Sequence, residues 1–222
     1  MDIKKGIIKV TKNGPLMVTG VHKLKNPIGQ PISCKPTMAL CRCGGSSNKP
    51  FCNGTHMRNG FNGDRTSDLP NDEVKVYKGK NITIFDNRKV CAHRGHCTED
   101  LPSVFNHNQK PWINPDGATV EEIIDLCSKC PSGALSYALP GGERINHIED
   151  RNQEIALSPR HFDFDGPYDV VGEIKLEDEC NCKPESEEHY TLCRCGASKN
   201  KPFCSGEHWH VKFIDEDSLK KE

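Results

Sequence analysis

Apolar positions in this chain come in short runs whose spacing changes along its length. Val74, Val76, Ile82 and Ile84 alternate with polar neighbours on either side of Gly79-Lys80-Asn81, which predicts a β-hairpin over 74–90 with those four residues on one face. From Ala118 the period lengthens, and Val120, Ile123, Ile124 and Cys127 share one face of a predicted helix that stops at Cys130-Pro131. The segments Gly14 to Leu24 and Gly166 to Leu176 each read as a turn and a strand. No run approaches the ~18 apolar residues of a membrane span, and residues 1–20 carry charge without a signal-peptide core. The expected class is α+β.

The two turn–strand segments are copies. Gly14-Pro15-Leu16-Met17-Val18-Thr19-Gly20 answers Gly166-Pro167-Tyr168-Asp169-Val170-Val171-Gly172, and residues 14–56 laid on 166–208 without a gap match at 19 of 43 positions. Within this repeat, Cys-x-Cys-x2-Ser-x3-Pro-x-Cys-x-Gly-x-His occurs at Cys41 to His56 and again at Cys193 to His208. A folding unit was duplicated together with a set of metal-binding side chains. The 222 residues then divide into 1–62, 63–149 and 150–222. With 34% hydrophobic residues and a mean hydropathy of −0.68, a module of roughly 50 residues buries too little apolar area to be secure without metal or a cross-link. The thirteen cysteines are odd in number and mixed with histidine at fixed loop spacing, so metal ligation is favoured over a disulfide framework, with a reducing, cytoplasmic location.

Charge is distributed unevenly. Residues 1–60 hold ten Lys/Arg against one acid, whereas 61–165 and 166–222 each carry a net charge of −5. The basic first module is either an ordinary solvated surface or a face that docks on an acidic partner or on the acidic part of this chain. Nucleic acid is the weaker candidate, since no stripe of aromatics is interleaved with the basic residues.

Cys41 and Cys43 can hold one metal from a tight loop, while Cys52 and His56, four apart, can face a second. Asn53, and Ser205 in the other copy, stand where a helix N-cap would accept orphan amides. A Cys3His set also suits zinc, but Cys-x-Cys followed by Cys-x3-His lacks the usual zinc knuckle, so the spacing favours a [2Fe–2S] cluster with zinc still open. Cys41-Arg42-Cys43-Gly44-Gly45-Ser46 through Pro50-Phe51-Cys52-Asn53-Gly54-Thr55-His56 resembles the CDGSH iron–sulfur domain of the mitoNEET type, and Cys193 to His208 resembles it equally. The resemblance implies two Cys3His-bound [2Fe–2S] clusters, one on Cys41, Cys43, Cys52 and His56, the other on Cys193, Cys195, Cys204 and His208. It also implies modules paired about a two-fold axis, here as an intramolecular pseudo-dimer. Asn53 and Ser205 replace the family's aspartate. The loss of that negative charge favours the reduced state, and Glu207 adds a charge near the second site alone.

Between the modules lie Cys91-Ala92-His93-Arg94-Gly95-His96-Cys97 and, beyond the predicted helix, Cys130-Pro131. These match the outer positions of a ferredoxin run, with Arg94 at the middle one. With Pro111 to Gly117 and Cys130 to Tyr137, the stretch 72–138 resembles the divergent mono-cluster 4Fe–4S ferredoxin domain, which implies a [4Fe–4S] or [3Fe–4S] cluster on Cys91, Cys97 and Cys130. His93, His96, Cys127 or no residue supplies the fourth ligand, and His93 is preferred. Cys34, Cys180 and Cys182 have no counterpart in the repeat and read as ordinary thiols, Cys180 and Cys182 alternatively as a redox or metal pair.

Three cluster sites without a nucleotide loop, flavin motif or nucleophile arrangement point to electron transfer with redox partner proteins rather than to an enzyme. The central site is expected to have the lower potential and to feed the two flanking sites. Redox or pH sensing, or cluster donation, is the alternative. The intramolecular pairing predicts a mainly monomeric protein with no membrane contact.

Overall fold

The structure is a computed structural model that describes residues 5–66, 74–146 and 151–217. The expected boundary at 149/150 lies outside the described residues. The first module supplies β1 (Ile7–Val10), β2 (Leu16–Thr19), β3 (Leu24–Lys25), β4 (Pro31–Ile32) and β5 (Thr37–Leu40). The central stretch supplies β6 (Lys75–Lys78), β7 (Thr83–Asp86), α1 (His96–Asp100), α2 (Val120–Ser128) and β8 (Leu135–Ala138). After it come β9 (Glu154–Leu157), β10 (Tyr168–Val171), β11 (Lys175–Glu177) and β12 (His189–Leu192).

The copies do not build separate sheets. One sheet has the order β11-β1-β2-β5 and the other β12-β10-β9-β3-β4. Strand β3 leaves the first module to lie parallel to β9, Leu24 opposite Ile155, and its counterpart β11 crosses the other way to lie parallel to β1, Leu176 opposite Ile8. The inward residues pool into one apolar core in which Ile8, Leu16, Val18, Leu24 and Leu40 pack with Ile155, Leu157, Tyr168, Val170, Tyr190 and Leu192, all at most 1% exposed. Neither module needs to close a core of its own, which answers the shortage of apolar area in each. Tyr168, where the first copy has Leu16, donates its hydroxyl to the Cys41 carbonyl at 2.7 Å, with the Pro50 carbonyl at 3.1 Å.

The central stretch has its own three-stranded sheet, β6-β7-β8, and a second core of Ile82, Ile84, Val104, Phe105, Ile113, Ile123, Leu126 and Leu135. Helix α2 begins at Thr119, whose hydroxyl accepts from the Glu122 amide while Glu122 accepts from the Thr119 amide, a capping box that fixes the start. The hairpin forms, but one expectation is corrected. Tyr77 pairs with inward-facing Ile84, so Val76 pairs with Phe85 on the outer face and is 50% exposed. A one-residue change of phase across the turn exchanges the two faces of a strand.

This stretch docks on residues after 150. Asn87 Nδ2 and Arg144 Nη2 reach the two carboxylate oxygens of Glu185 at 2.5 and 2.9 Å, Asn200 Nδ2 donates to the Lys89 carbonyl at 3.0 Å, and Arg94 donates to the Pro159 carbonyl at 2.6 Å.

Candidate metal centres

Both copies hold their cysteines through the same local hydrogen bonds. The Cys41 amide donates to the Pro50 carbonyl and the Cys193 amide to that of Pro202, each at 2.8 Å. Ser46 and Ser198 hydroxyls donate to the Phe51 and Phe203 carbonyls at 2.6 Å. Lys49 and Lys201 ammonium groups cap the Ser46 and Ser198 carbonyls at 2.6 and 2.7 Å. These side chains tie a loop of about a dozen residues into one shape, so donors distant in sequence return to one place.

Donors meet in pairs. Cys41 Sγ lies 3.7 Å from Cys43 Sγ and Cys52 Sγ 3.4 Å from His56 Nδ1; in the second copy the separations are 3.8 and 3.5 Å. Two sulfurs on one tetrahedral metal with bonds of ~2.3 Å lie ~3.8 Å apart, so each pair is spaced to grip one metal. Among the described residues no group of three or more His, Cys, Asp or Glu side chains converges on a single ion position. Two pairs per loop fit a binuclear cluster; a mononuclear tetrahedral site needs all four donors around one point.

The electrostatics agree. Cys41 and Cys43 share a proton across their close contact, as do Cys193 and Cys195, so within each pair one thiol is lowered and the other held up. Each pair releases one proton readily and keeps the second until a cation compensates it. Backbone amides supply part of the stabilisation: Gly54 and Gly206 donate to Cys52 and Cys204 sulfurs at 3.4 Å in both copies.

The capping expectation is met only in part and in one copy: Asn53 accepts one amide, but the cap position is Gly54, which makes no side-chain cap bond. Asn53 Oδ1 accepts from the Thr55 amide at 3.2 Å ahead of a short 3-10 turn, Thr55–Met57. Ser205 instead lies against Ser198 Oγ at 3.1 Å and accepts from the Lys199 amide at 3.3 Å, with no helix following. The loops also differ in exposure. Cys204 and His208 are buried, whereas Cys52 and His56 are half-buried and Met57 is 79% exposed.

The arginine between each pair of candidate cysteines, Arg42 and Arg194, has no role assigned from sequence. Arg42 Nε donates to the Gly14 carbonyl at 2.7 Å and Arg194 Nε to the Gly166 carbonyl at 2.9 Å, so each cluster loop is bolted to the turn before its own strand. Both are buried. Identity at these positions between the copies was the available signal.

The two loops touch. Cys43 and Cys195 form an antiparallel bridge, and a Cβ on Gly44 or Gly196 would strike the carbonyl of the opposite cysteine.

In the central stretch, Cys91, Cys97 and Cys130 line one cavity of about 640 Å³ with His93, His96, Arg88, His161 and Trp209. Burial raises all three thiols, Cys97 to about 12, and Cys91 adds to the shift of both Cys97 and Cys130. Three thiols that are costly to ionise together in one partly buried cavity are a site that a cation stabilises. Arg88 Nη1 lies 3.6 Å from Cys91 Sγ, its guanidinium stacks 4.0 Å over Trp112, and buried Asp86 pairs with it at 3.3 Å. Of the fourth-ligand candidates, His93 and His96 border this cavity. Cys127 is 4% exposed in the apolar core and borders a separate cavity with Tyr137 and His189. Cys34 and Cys182 pack against the shared core and Cys180 is exposed.

A pH prediction follows from the difference in exposure. Burial, with His93 and Arg194 nearby, pushes His208 down to about 4, so its imidazole stays neutral where an unfolded chain, near 6.5, would be protonated. Stability from this group is full above ~6.5 and is lost as pH falls toward ~4. A proton competing for His208 must therefore enter a buried site, whereas His56 meets solvent. On acidification, visible absorbance should bleach in two steps, the first module's signal going at the higher pH, with His56→Cys delaying the first step and His208→Cys the second. Simultaneous loss, unmoved by either substitution, would contradict the ligand assignment.

Comparison with known proteins points to iron-binding domains over the same stretches. Residues 13–57 and 165–209 match the family model of the iron-binding zinc finger of CDGSH type, and 77–140 match that of the divergent 4Fe-4S mono-cluster. The chain is 38% identical over 63 residues to the uncharacterized protein YjdI of Escherichia coli (strain K12), covering 28% of this chain and 83% of that protein. The same figures hold for YjdI of Escherichia coli O157:H7. No solved structure matches. Among the described residues no helix is long and apolar enough to cross a membrane.

Proposed function

Because the chain belongs to the proteins in which two CDGSH-type iron-binding domains flank a divergent 4Fe-4S mono-cluster domain, we propose that this iron–sulfur protein is a multi-cluster electron carrier and not an enzyme. Cys41, Cys43, Cys52 and His56 would hold one [2Fe–2S] cluster, and Cys193, Cys195, Cys204 and His208 a second. Cys91, Cys97 and Cys130 would hold a [4Fe–4S] or [3Fe–4S] cluster, with His93 as the fourth donor in the first case. Such clusters, when bound, supply one-electron chemistry without bond making or breaking. The observation that carries the reading is contiguity: the two paired-donor loops meet at Cys43 and Cys195, and the three-cysteine cavity abuts the second loop.

The protein's residues exclude water from the buried donors and tune charge around them. Arg88 places a cation against Cys91 and favours the reduced state there. The reciprocal crossing of β3 and β11, with the shared core, supports an intramolecular pseudo-dimer and hence a mainly monomeric protein, and the cysteine usage suits a reducing cytoplasm. The basic first module suits an acidic redox partner.

Anaerobically purified protein is expected to contain roughly seven or eight iron atoms with matching sulfide and to give EPR signals on reduction. Stoichiometric zinc in a colourless protein would sink the proposal. The half-buried Cys52 and His56 favour a second reading, donation of the first module's cluster. Transfer of iron and sulfide to an apo-ferredoxin faster than chelator capture would support that reading.

A further inference from the structure

The domain that is central in the sequence is not central in space. The His93 ring lies against Gly206, inside the second module's donor loop: a Cβ on Gly206 would sit 3.1 Å from three of its ring atoms. The same cavity that holds Cys91, Cys97 and Cys130 is closed on one side by His161, Phe162 and Trp209, the last adjoining His208 with ring centroids 6.5 Å apart. The His161 imidazole reaches back to Glu99 of α1 at 2.7 Å. On its other side the second loop meets the first through the Cys43–Cys195 bridge. The second loop thus has a neighbouring donor set on both sides. Of its four donors Cys193, Cys204 and His208 are 2–4% exposed and Cys195 is half-buried, while Cys52 and His56 of the first module are both half-buried.

From this arrangement we infer that the second module's site, on Cys193, Cys195, Cys204 and His208, is an internal relay. An electron leaving the reduced central site is taken up by the oxidised second site and then by the first, and it enters or leaves the protein surface at the His56 edge. Each transfer reduces one site and oxidises its neighbour by one electron, with no bond or proton changed. The order is a line, not a centre feeding two edges, and the copies that look equivalent in sequence have different roles. The inference rests on the proposed cluster content.

The test uses the full chain, reduced anaerobically with dithionite, and reads magnetic interaction between centres by EPR. His56→Cys and His208→Cys each keep four donors and shift the signal of one site, so each site is marked in turn. The expected result is that the His208→Cys signal is split or relaxation-enhanced by the central site, while the His56→Cys signal interacts with the second site and loses the central interaction. Equal interaction of the central site with both, or interaction with the first alone, overturns the relay. Should a variant fail to fold, the unaltered protein bleached by mild acid to remove the first module's signal serves instead. The central signal must keep its splitting, and its loss there is equally fatal. Absence of all cluster signals, with no iron or sulfide found, would instead remove the electron-carrier reading itself.

Discussion

Replacing Gly44 by alanine is expected to destabilise the chain by about 2–5 kcal/mol and to lower the iron content of both paired modules, not one. Gly44 has φ +74°, and a residue with a Cβ in that left-handed region is penalised by roughly 1–2 kcal/mol. The added carbon would also strike the Cys195 backbone, and overpacking of that kind costs typically 1–3 kcal/mol. Backbone cannot swing aside as a long side chain can, so the Cys43–Cys195 bridge must open and both loops shift. Gly60→Ala is the control: its φ is +68° and nothing lies within 4 Å of the new carbon, so only the conformational penalty remains. Denaturant unfolding with iron analysis on both variants measures the difference. Equal losses from the two substitutions would show that the loops do not depend on each other.

The cluster loops were legible because their geometry is local. Two cysteines two residues apart, a proline and a histidine four beyond the third cysteine specify a shape within about sixteen residues, and their repetition at one offset removed coincidence. Helix α2 was legible for the same reason, its apolar face and its stop lying in one stretch. The hairpin face was misjudged because Val76 and Tyr77 both favour strands, and only pairing with Ile84 decides which points inward. Exchangeable strands were visible in the duplication, yet the partner of Leu24 is set by a register 131 residues away at Ile155. The docking of the central stretch left no periodic trace. It rests on single long-range pairs such as Asn87 with Glu185 and His161 with Glu99, each of which reads in sequence as an exposed polar residue.

Asp215→Ala is expected to cost about 3–5 kcal/mol, several times the effect of removing a surface carboxylate. Arg194 and Asp215 form an ion pair with side chains 1% and 0% exposed, and removing one member of a buried pair leaves the other charge uncompensated at about that cost. Arg194 would keep its 2.9 Å bond to the Gly166 carbonyl and the Phe213 ring 5.1 Å away, but would lose its paired carboxylate. The first copy shows what a loop without such a pair requires: Arg42 has the carbonyls of Gly14 and Thr11 at 2.7 and 2.6 Å, and its burial lowers its pKa. Because Arg194 stands between Cys193 and Cys195, its displacement should release the cluster proposed for the second module before the chain unfolds. Urea titration followed in parallel by visible absorbance and far-ultraviolet circular dichroism separates the two events. Removing Glu173, whose pair with Lys5 is largely solvent-exposed, should change stability by less than about 1 kcal/mol. If Asp215→Ala costs no more than Glu173→Ala, the buried pair does not hold the loop, and the contacts of Arg194 with Gly166 and Phe213 are sufficient.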